Sequence, residues 1–545
     1  MDSTSLAVVV WVILLVLWLR RTFGRRSLPL PPAPPGYPVI GNILDLANND
    51  VHIRASHWSR NFDDDVISLK VLGKTMIILN SSTAVADLFD KRASNYSDRP
   101  DMPMIVDLMG TSRCGAVQEQ LFLDVCYIGW DWTFALMRYG PRWKEHRRVF
   151  NNHFNIGTSG ASEDRHIQLR ICRELLSLMF QSPSEYLENL RHYTGHIILK
   201  RTYGHTVVDE KDPYIRLVEA ASQSTSEGVS LLPNSLMTAV LISLVAAVPG
   251  AFLVDLFPSM KYIPEWFPGA QFKRKARQWR KLSEAMINAP YDMAKGKFDE
   301  GNAEPCFVSA CLEQNKTASG QGLSEELIKD TAAVAYAAGA DTSVSTLTTF
   351  ILAMTLNPDV QKAAQAELDA LLGGERLPDF SDKTRLPYVT AILKEVLRWI
   401  PVLPMAVPHR AINADTYKGY YIPAGAFVYG NAWAILHNPD IFADPETFRP
   451  DRFIENPSLL NPIDNGVFGF GRRACAGRVM ALDTIWIAMA SILAVFDISK
   501  AVDEQGNEIT PPVKLSPGTI SHPAPFPCII KPRSKAALEL ITQDD

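Results

Sequence analysis

The chain has 545 residues, 47% of them hydrophobic, with 54 Lys and Arg against 59 Asp and Glu for a net charge of −5. That balance excludes a nucleic-acid polyanion as an obvious partner. The seven cysteines are an odd number without C-x-x-C spacing, which suits a reducing compartment better than a disulfide framework.

Residues Ser3 to Leu19 carry no charge, and the run stops at Arg20-Arg21, followed by Arg25-Arg26. Its 17 residues stand at the short end of what a spanning helix needs. A cleaved signal peptide would put basic residues ahead of the apolar run, but here Asp2 precedes it and no A-x-A site follows. The positive-inside rule then places the rest of the chain in the cytosol. Leu28 to Gly36, with five prolines, reads as a stiff polyproline spacer. The expected organisation is a transmembrane anchor over 1–21, a basic and proline-rich hinge over 22–42, and one domain over 43–545. No Gly/Ser linker, acidic tract or internal repeat divides that domain. Asn80, Asn95 and Asn315 open N-x-S/T triplets, which a cytosolic location leaves unmodified.

Val66–Val71 and Thr75–Leu79 read as a β-hairpin around Gly73-Lys74, and a second strand pair is expected at Thr416–Ile422 and Ala426–Tyr429. Apolar periodicity predicts helices over Leu323–Leu356, Pro358–Leu372, Tyr388–Trp399 and Ala481–Phe496. Inside the first of these sits Ala338-Gly-Ala-Asp341-Thr342-Ser343. A Gly, an acid and two hydroxyls are costly in mid-helix by propensity. Gly339 can open the backbone ladder into a small pocket, with the hydroxyls bonded to freed carbonyls. A kink with a satisfied polar network is the plainer alternative. Glu395 and Arg398 share a helix face at i, i+3, although such pairs mostly decorate solvated surfaces at about 0.5 kcal/mol.

The stretch Phe468-Gly-Phe-Gly-Arg-Arg-Ala-Cys475-Ala-Gly477 precedes the apolar run Val479–Phe496. It sets one cysteine at a helix start, where free N–H groups and the dipole stabilise a thiolate. A thiolate so placed can be an axial ligand of haem iron. Gly469 and Gly471 let the loop fold tightly beneath a flat macrocycle, and Gly477 allows close approach beyond the sulfur. Arg473 can neutralise a haem propionate. A lone cysteine is more usually a buried structural residue. Phe, Gly, Arg, Cys and Gly at these offsets arise by chance on the order of once in ten thousand.

On these residues the chain resembles the cytochrome P450 family, matching its signature F-x-x-G-x-R-x-C-x-G from Phe468 to Gly477, and it looks like a fungal microsomal member. The resemblance implies a mainly α fold with a small β region, a helix-rich haem domain behind an N-terminal membrane anchor. It implies haem b with its iron bound through Cys475. Asp341 and Thr342, in the family's A-G-x-D-T motif, become the candidate catalytic pair, Asp341 feeding protons inward and Thr342 acting at the oxygen site. Trp143 and Arg147 of W-x-x-x-R would join Arg473 at one propionate, with His409 at the other and Gly339 and Phe468 against the cofactor. Arg452, in Phe448-Arg-Pro-Asp-Arg452-Phe453, would complete a structural triad with Glu395 and Arg398.

The implied activity is insertion of one oxygen atom from dioxygen into a lipophilic small molecule: a terpenoid, polyketide, steroid or polycyclic aromatic. Candidate pocket residues are Ala338, Val402, Leu403, Met405, Ala406, Val407 and Thr519. Electrons would come from a separate NADPH-dependent flavoprotein reductase at the endoplasmic reticulum membrane, since the chain has no flavin fingerprint. Arg142, Lys144, His146, Arg147 and Arg148 form a candidate basic docking face. The alternatives are a haem-thiolate isomerase or dehydratase, and an inactive splice product. In fungal members of the family Met102–Gly110 runs almost directly into Trp130, whereas here Thr111–Gly129 adds 19 residues. Its ends can be written as splice donor and acceptor, as can those of Val229 to about Leu244. Both segments are candidates for retained introns, against genuine insertion where loops vary most. Leu236–Val254 also resembles a transmembrane span, but Pro249-Gly250 and cytosolic motifs on both sides argue against one.

Overall fold

The computed structural model describes residues 28–543 apart from 39, 47–49, 102–131, 155–160, 209–211, 230–257, 268–269, 318–321 and 517–519. The expected anchor, the segment 111–129, nearly all of 229–244 and Thr519 lie outside the described residues.

Helix α1 (Val51–Phe62) precedes the hairpin β1 (Val66–Val71) and β2 (Lys74–Leu79). A helical body follows: α2 (Pro141–Phe154), α3 (Ala161–Gln181), α4 (Tyr186–Tyr203), α5 (Pro213–Val229), α6 (Gln271–Asp299), α7 (Phe307–Thr317), α8 (Glu325–Leu356), α9 (Pro358–Leu372) and α10 (Pro387–Trp399). Then come β3 (His409–Arg410), β4 (Asp415–Tyr417), β5 (Tyr420–Ile422) and β6 (Phe427–Gly430). The chain ends with α11 (Arg478–Val495), β7 (Phe496–Val502), β8 (Glu508–Ile509), β9 (Cys528–Pro532) and α12 (Lys535–Thr542).

Helix α8 is the spine. The Ser324 hydroxyl caps it by accepting from the Leu327 N–H, and Glu325 and Glu326 sit in its first turn, where the dipole favours acids. It is buried on all sides over 343–355, against α4 and α11. Its buried Thr348, Thr349 and Thr355 therefore return their hydroxyls to carbonyls four residues back. Among the described residues α11 alone is long and apolar enough to cross a membrane, but it is mostly buried in the protein and is a core helix.

The four-stranded sheet runs β1-β2-β6-β3, with β2 and β6 parallel and the other pairs antiparallel. The first hairpin turns at Leu72-Gly73 (φ 46° and 82°), one residue earlier than expected. Two consecutive positive φ angles are what a two-residue turn matched to strand twist requires. The second expected pair is corrected. Lys418-Gly419 (φ 50° and 81°) folds 415–422 back on itself as the hairpin β4–β5, while β6 leaves to pair with β2 and β3. The expected helices are all present with ends shifted by at most three residues.

Candidate functional site

A cavity of about 290 Å³ lies between α8, α4, α2, the 402–409 segment and the cysteine loop. Its walls are mostly apolar, including Phe134, Phe150, Ile198, Val402, Leu403 and Ala406. Ala338 and Val407 also line it, as expected. Met405 does not: it packs in a separate apolar cluster with Ile43, Leu69 and Tyr429.

The cysteine loop is shaped by glycines where no other residue fits. Gly471 has φ +56°, and a Cβ there would meet the Phe89 carbonyl oxygen at 2.2 Å. Gly469, at φ +73°, makes the turn that brings the Cys475 N–H to the Phe468 carbonyl, 2.7 Å away. Cys475 lines the cavity and is exposed to it. Burial pushes it up, while the Gly477 N–H and the charges of Arg147 and Arg478 pull it back toward thiolate. Cys172, Cys311 and Cys528 are pushed up to about 12 by burial, and none lines the cavity. Cys311 instead sits 3.6 Å from His153 Nε2.

Positive charge gathers at one edge of the cavity. Arg473 donates to the carbonyls of Ser97, Phe134 and Met137 at 2.7–3.0 Å and lies 4.5 Å from the Trp143 ring centre. Arg147, one turn along α2 from Trp143, donates to the Ala474 carbonyl at 2.5 Å and thereby grips the cysteine loop. Arg99, a residue the sequence reading missed, donates to the carbonyls of Ala135, Val407 and Pro408. Burial draws all three guanidinium pKa values down, Arg473 to about 10 and Arg99 well below its ordinary value, the latter helped by the neighbouring Arg473 charge. Among the described residues no hydrogen bond from these three reaches a carboxylate. His409 bonds through Nδ1 to the Tyr96 carbonyl at 2.6 Å and stacks on Phe89. Burial, with Arg99 and Arg473 nearby, holds it well below its usual pKa, so it is neutral. Arg99 and Arg473 are buried and Arg147 half-buried, with Asp98 the negative charge near the first two. Hydrogen bonds from all three among the described residues go to neutral carbonyls, an arrangement that suits a ligand with anionic groups at one edge.

Thr342 lines the cavity and donates its hydroxyl to the Ala338 carbonyl at 2.8 Å. Asp341 is not among the lining residues; its Oδ2 lies 3.4 Å from His522 Nε2. Gly339 also faces the cavity, yet α8 runs through this region unbroken. Its missing side chain admits Ile198 of α4, whose atoms come within 3.1 Å of where a Cβ would be. A close helix approach thus replaces the opened ladder expected there.

Arg398 clasps Glu395 through both carboxylate oxygens at 2.8 and 2.9 Å, and Arg452 reaches the same carboxylate at 3.2 Å. None of the three is more than 3% exposed. The remaining guanidinium donors go to carbonyls of 436–447, tying α10 to the segment leading into the cysteine loop. The basic face on α2 is smaller than expected. His146 is buried against α8 beside Asp330 and Arg147 turns to the cavity, which leaves Arg142, Lys144 and Arg148 exposed.

The sequence model of the family described as Cytochrome P450 matches residues 123–525. A cytochrome P450 monooxygenase of Armillaria gallica is 90% identical over 546 residues, with 100% of each chain covered. Cytochrome P450 monooxygenase 208 of Postia placenta is 39% identical, over 99% of this chain and 97% of its own. A tryptamine 4-monooxygenase of Psilocybe cyanescens is 36% identical, over 95% of this chain and 96% of its own.

Proposed function

Because this chain belongs to the cytochrome P450 family, monooxygenases that carry haem b on a cysteine thiolate, we propose that Cys475 is the ligand and the cavity is the oxygenation site. The observation that carries this is Cys475 opening onto an apolar cavity whose edge holds Arg99, Arg147 and Arg473, none of which, among the described residues, hydrogen-bonds a carboxylate. Those residues fit a flat apolar group bearing two carboxylates. Bound there, haem b supplies activation of dioxygen, so that one oxygen atom enters an organic substrate and the other leaves as water. Arg99, Arg147 and Arg473 hold the carboxylates, with Trp143 against Arg473 and neutral His409 closing that edge. Phe468 and Gly339, which both line the cavity, would lie against the group. Thr342 turns its hydroxyl toward the oxygen site, and Asp341 beside it brings protons to that hydroxyl. The triad of Glu395, Arg398 and Arg452 keeps the loop beneath them in place.

The substrate is lipophilic and uncharged, of terpenoid, polyketide, steroid or polycyclic aromatic type. Among the described lining residues there is no carboxylate to pair an ammonium group, so the amine substrate in the name of the Psilocybe relative is not carried over. Electrons come from a redox partner, as the family requires. We take it to be an NADPH-dependent flavoprotein reductase that meets exposed Arg142, Lys144 and Arg148, with the chain anchored by residues 1–21 in the endoplasmic reticulum membrane. The segments 111–129 and about 229–244 stay candidates for retained introns, against genuine insertion.

The test is reconstitution of the full chain with such a reductase and a panel of lipophilic compounds chosen by their shift of the haem spectrum. The proposal expects a product one oxygen atom heavier, labelled from ¹⁸O₂ and dependent on NADPH. A rearranged or dehydrated product formed without NADPH would favour the isomerase or dehydratase alternative.

A further inference from the structure

Thr342 lines the cavity, but Asp341 beside it does not and faces another partner. Asp341 Oδ2 lies 3.4 Å from His522 Nε2, and the two side chains are 28% and 27% exposed, so the pair stands where solvent meets α8. The imidazole is held there by its backbone. Ser345, one turn along α8 from Asp341 and on the same face, donates its hydroxyl to the Ser521 carbonyl at 2.5 Å. The Ser521 N–H donates to the Val402 carbonyl, and the His522 carbonyl accepts from the Ser516 N–H. The segment carrying His522 is thus pinned to the same helix as the carboxylate it faces.

A further carboxylate, on α5, adds to the charge in this region. Glu219 has a buried Oε1 that lies 3.4 Å from Arg191 of α4, and Arg191 also pairs with Glu188. Burial raises the Glu219 pKa, Arg191 and Arg216 lower it, and the negative charges of Glu188 and Asp341 raise it further. The charged group in contact with Asp341 is therefore His522, while Glu219, with Arg191, Glu188 and Arg216 around it, adds to the surrounding charge.

We propose that His522 is a positioning residue for Asp341 and forms the entry through which solvent protons reach it. The inference rests on the monooxygenase reading. There each turnover consumes two protons and two electrons with one dioxygen, the electrons coming from the reductase, and releases one water. His522 accepts a proton from water on Nδ1, gives the one on Nε2 to Asp341 Oδ2, and regains its first tautomer by exchange with water. Asp341 passes the proton inward, and the imidazole ends unchanged.

The experiment compares His522→Gln and His522→Leu with the haem-loaded wild-type chain in two assays. Carbodiimide and glycine ethyl ester labelling of Asp341, read by mass spectrometry, reports the contact without turnover. Labelling rises in the Leu variant, which uncovers the carboxylate, and stays at the wild-type level in the Gln variant, which keeps a hydrogen-bonding group over it. NADPH consumption with a diflavin reductase in H₂O and D₂O reports proton delivery. Both variants slow it about three- to tenfold and enlarge the solvent isotope effect, because neither side chain relays protons. A Gln variant with wild-type rate and isotope effect would show that His522 merely pins its segment, and would overturn the relay. Unchanged labelling in the Leu variant would overturn the contact. Absence of a haem-thiolate spectrum in the wild-type chain would overturn the monooxygenase reading and this inference with it, whatever the labelling shows.

Discussion

Arg473 and Arg99 both line the cavity and donate to backbone carbonyls, yet only one is legible from the sequence. Arg473 sits two residues from Cys475 inside a motif, whereas Arg99 is bonded to carbonyls 36, 308 and 309 residues away, a juxtaposition that no local pattern encodes. Met405 fails for the converse reason. It lies among true pocket residues in sequence, but the turn at Ala406, with φ 50°, sends it to the other side of the chain. Thr342 is a case where residue-scale chemistry separates stability from function. Its hydroxyl bonds only to the Ala338 carbonyl of its own helix, so replacement by Ala costs little stability, within about 0.5 kcal/mol. We expect Thr342→Ala to keep its haem spectrum and its unfolding midpoint while releasing more hydrogen peroxide per NADPH consumed. Peroxide yield equal to wild type would remove Thr342 from proton delivery.

The long helices were readable because periodicity and caps coincide, as at Ser324 and at Pro358, the first residue of α9. Strand pairing was less so, since β6 joins β2 across some 350 residues and its neighbour hairpin is set by one Lys-Gly turn. The Glu395 cluster shows how an unremarkable i, i+3 pair becomes structural once a third element buries it. Glu395→Gln leaves Arg398 and Arg452 buried without a carboxylate, and removing one partner of such a cluster costs about 3–5 kcal/mol. The expected result is a lower unfolding midpoint and loss of haem on gel filtration, with Cys475 untouched. Near α1, Trp433 lies between His52 and His437, both buried. Burial lowers His52 to about 4, and burial with the Arg398 charge lowers His437 to about 3. In the unfolded chain both titrate near 6.5, so below that pH the unfolded state binds the extra protons. Their contribution to stability is complete above pH 6.5 and lost as pH falls toward 4 for His52 and 3 for His437. Urea midpoints measured from pH 7.5 to 5 should decline, and less steeply in a His437→Phe variant, which retains the stack on Trp433.

At the scale of the molecule, the cavity is assembled from helices, loops and strand ends contributed by residues 99–485, which is why the sequence conveyed its chemistry through motifs but not its shape. If Thr111–Gly129 is a retained intron, deleting it should leave the haem spectrum intact and preserve or raise turnover. Loop length costs only about 0.6 kcal/mol per doubling, so the fold tolerates the segment either way. Loss of haem on deletion would show that these residues belong to the body. The central claim, that Cys475 presents a thiolate to haem in this cavity, meets its most direct test in the absorption of the reduced protein under carbon monoxide. The account predicts the red-shifted Soret band of a thiolate-ligated haem in the wild-type chain and its absence in Cys475→Ser, with Cys311→Ser behaving as wild type. A Cys475→Ser protein that retains the band would contradict it.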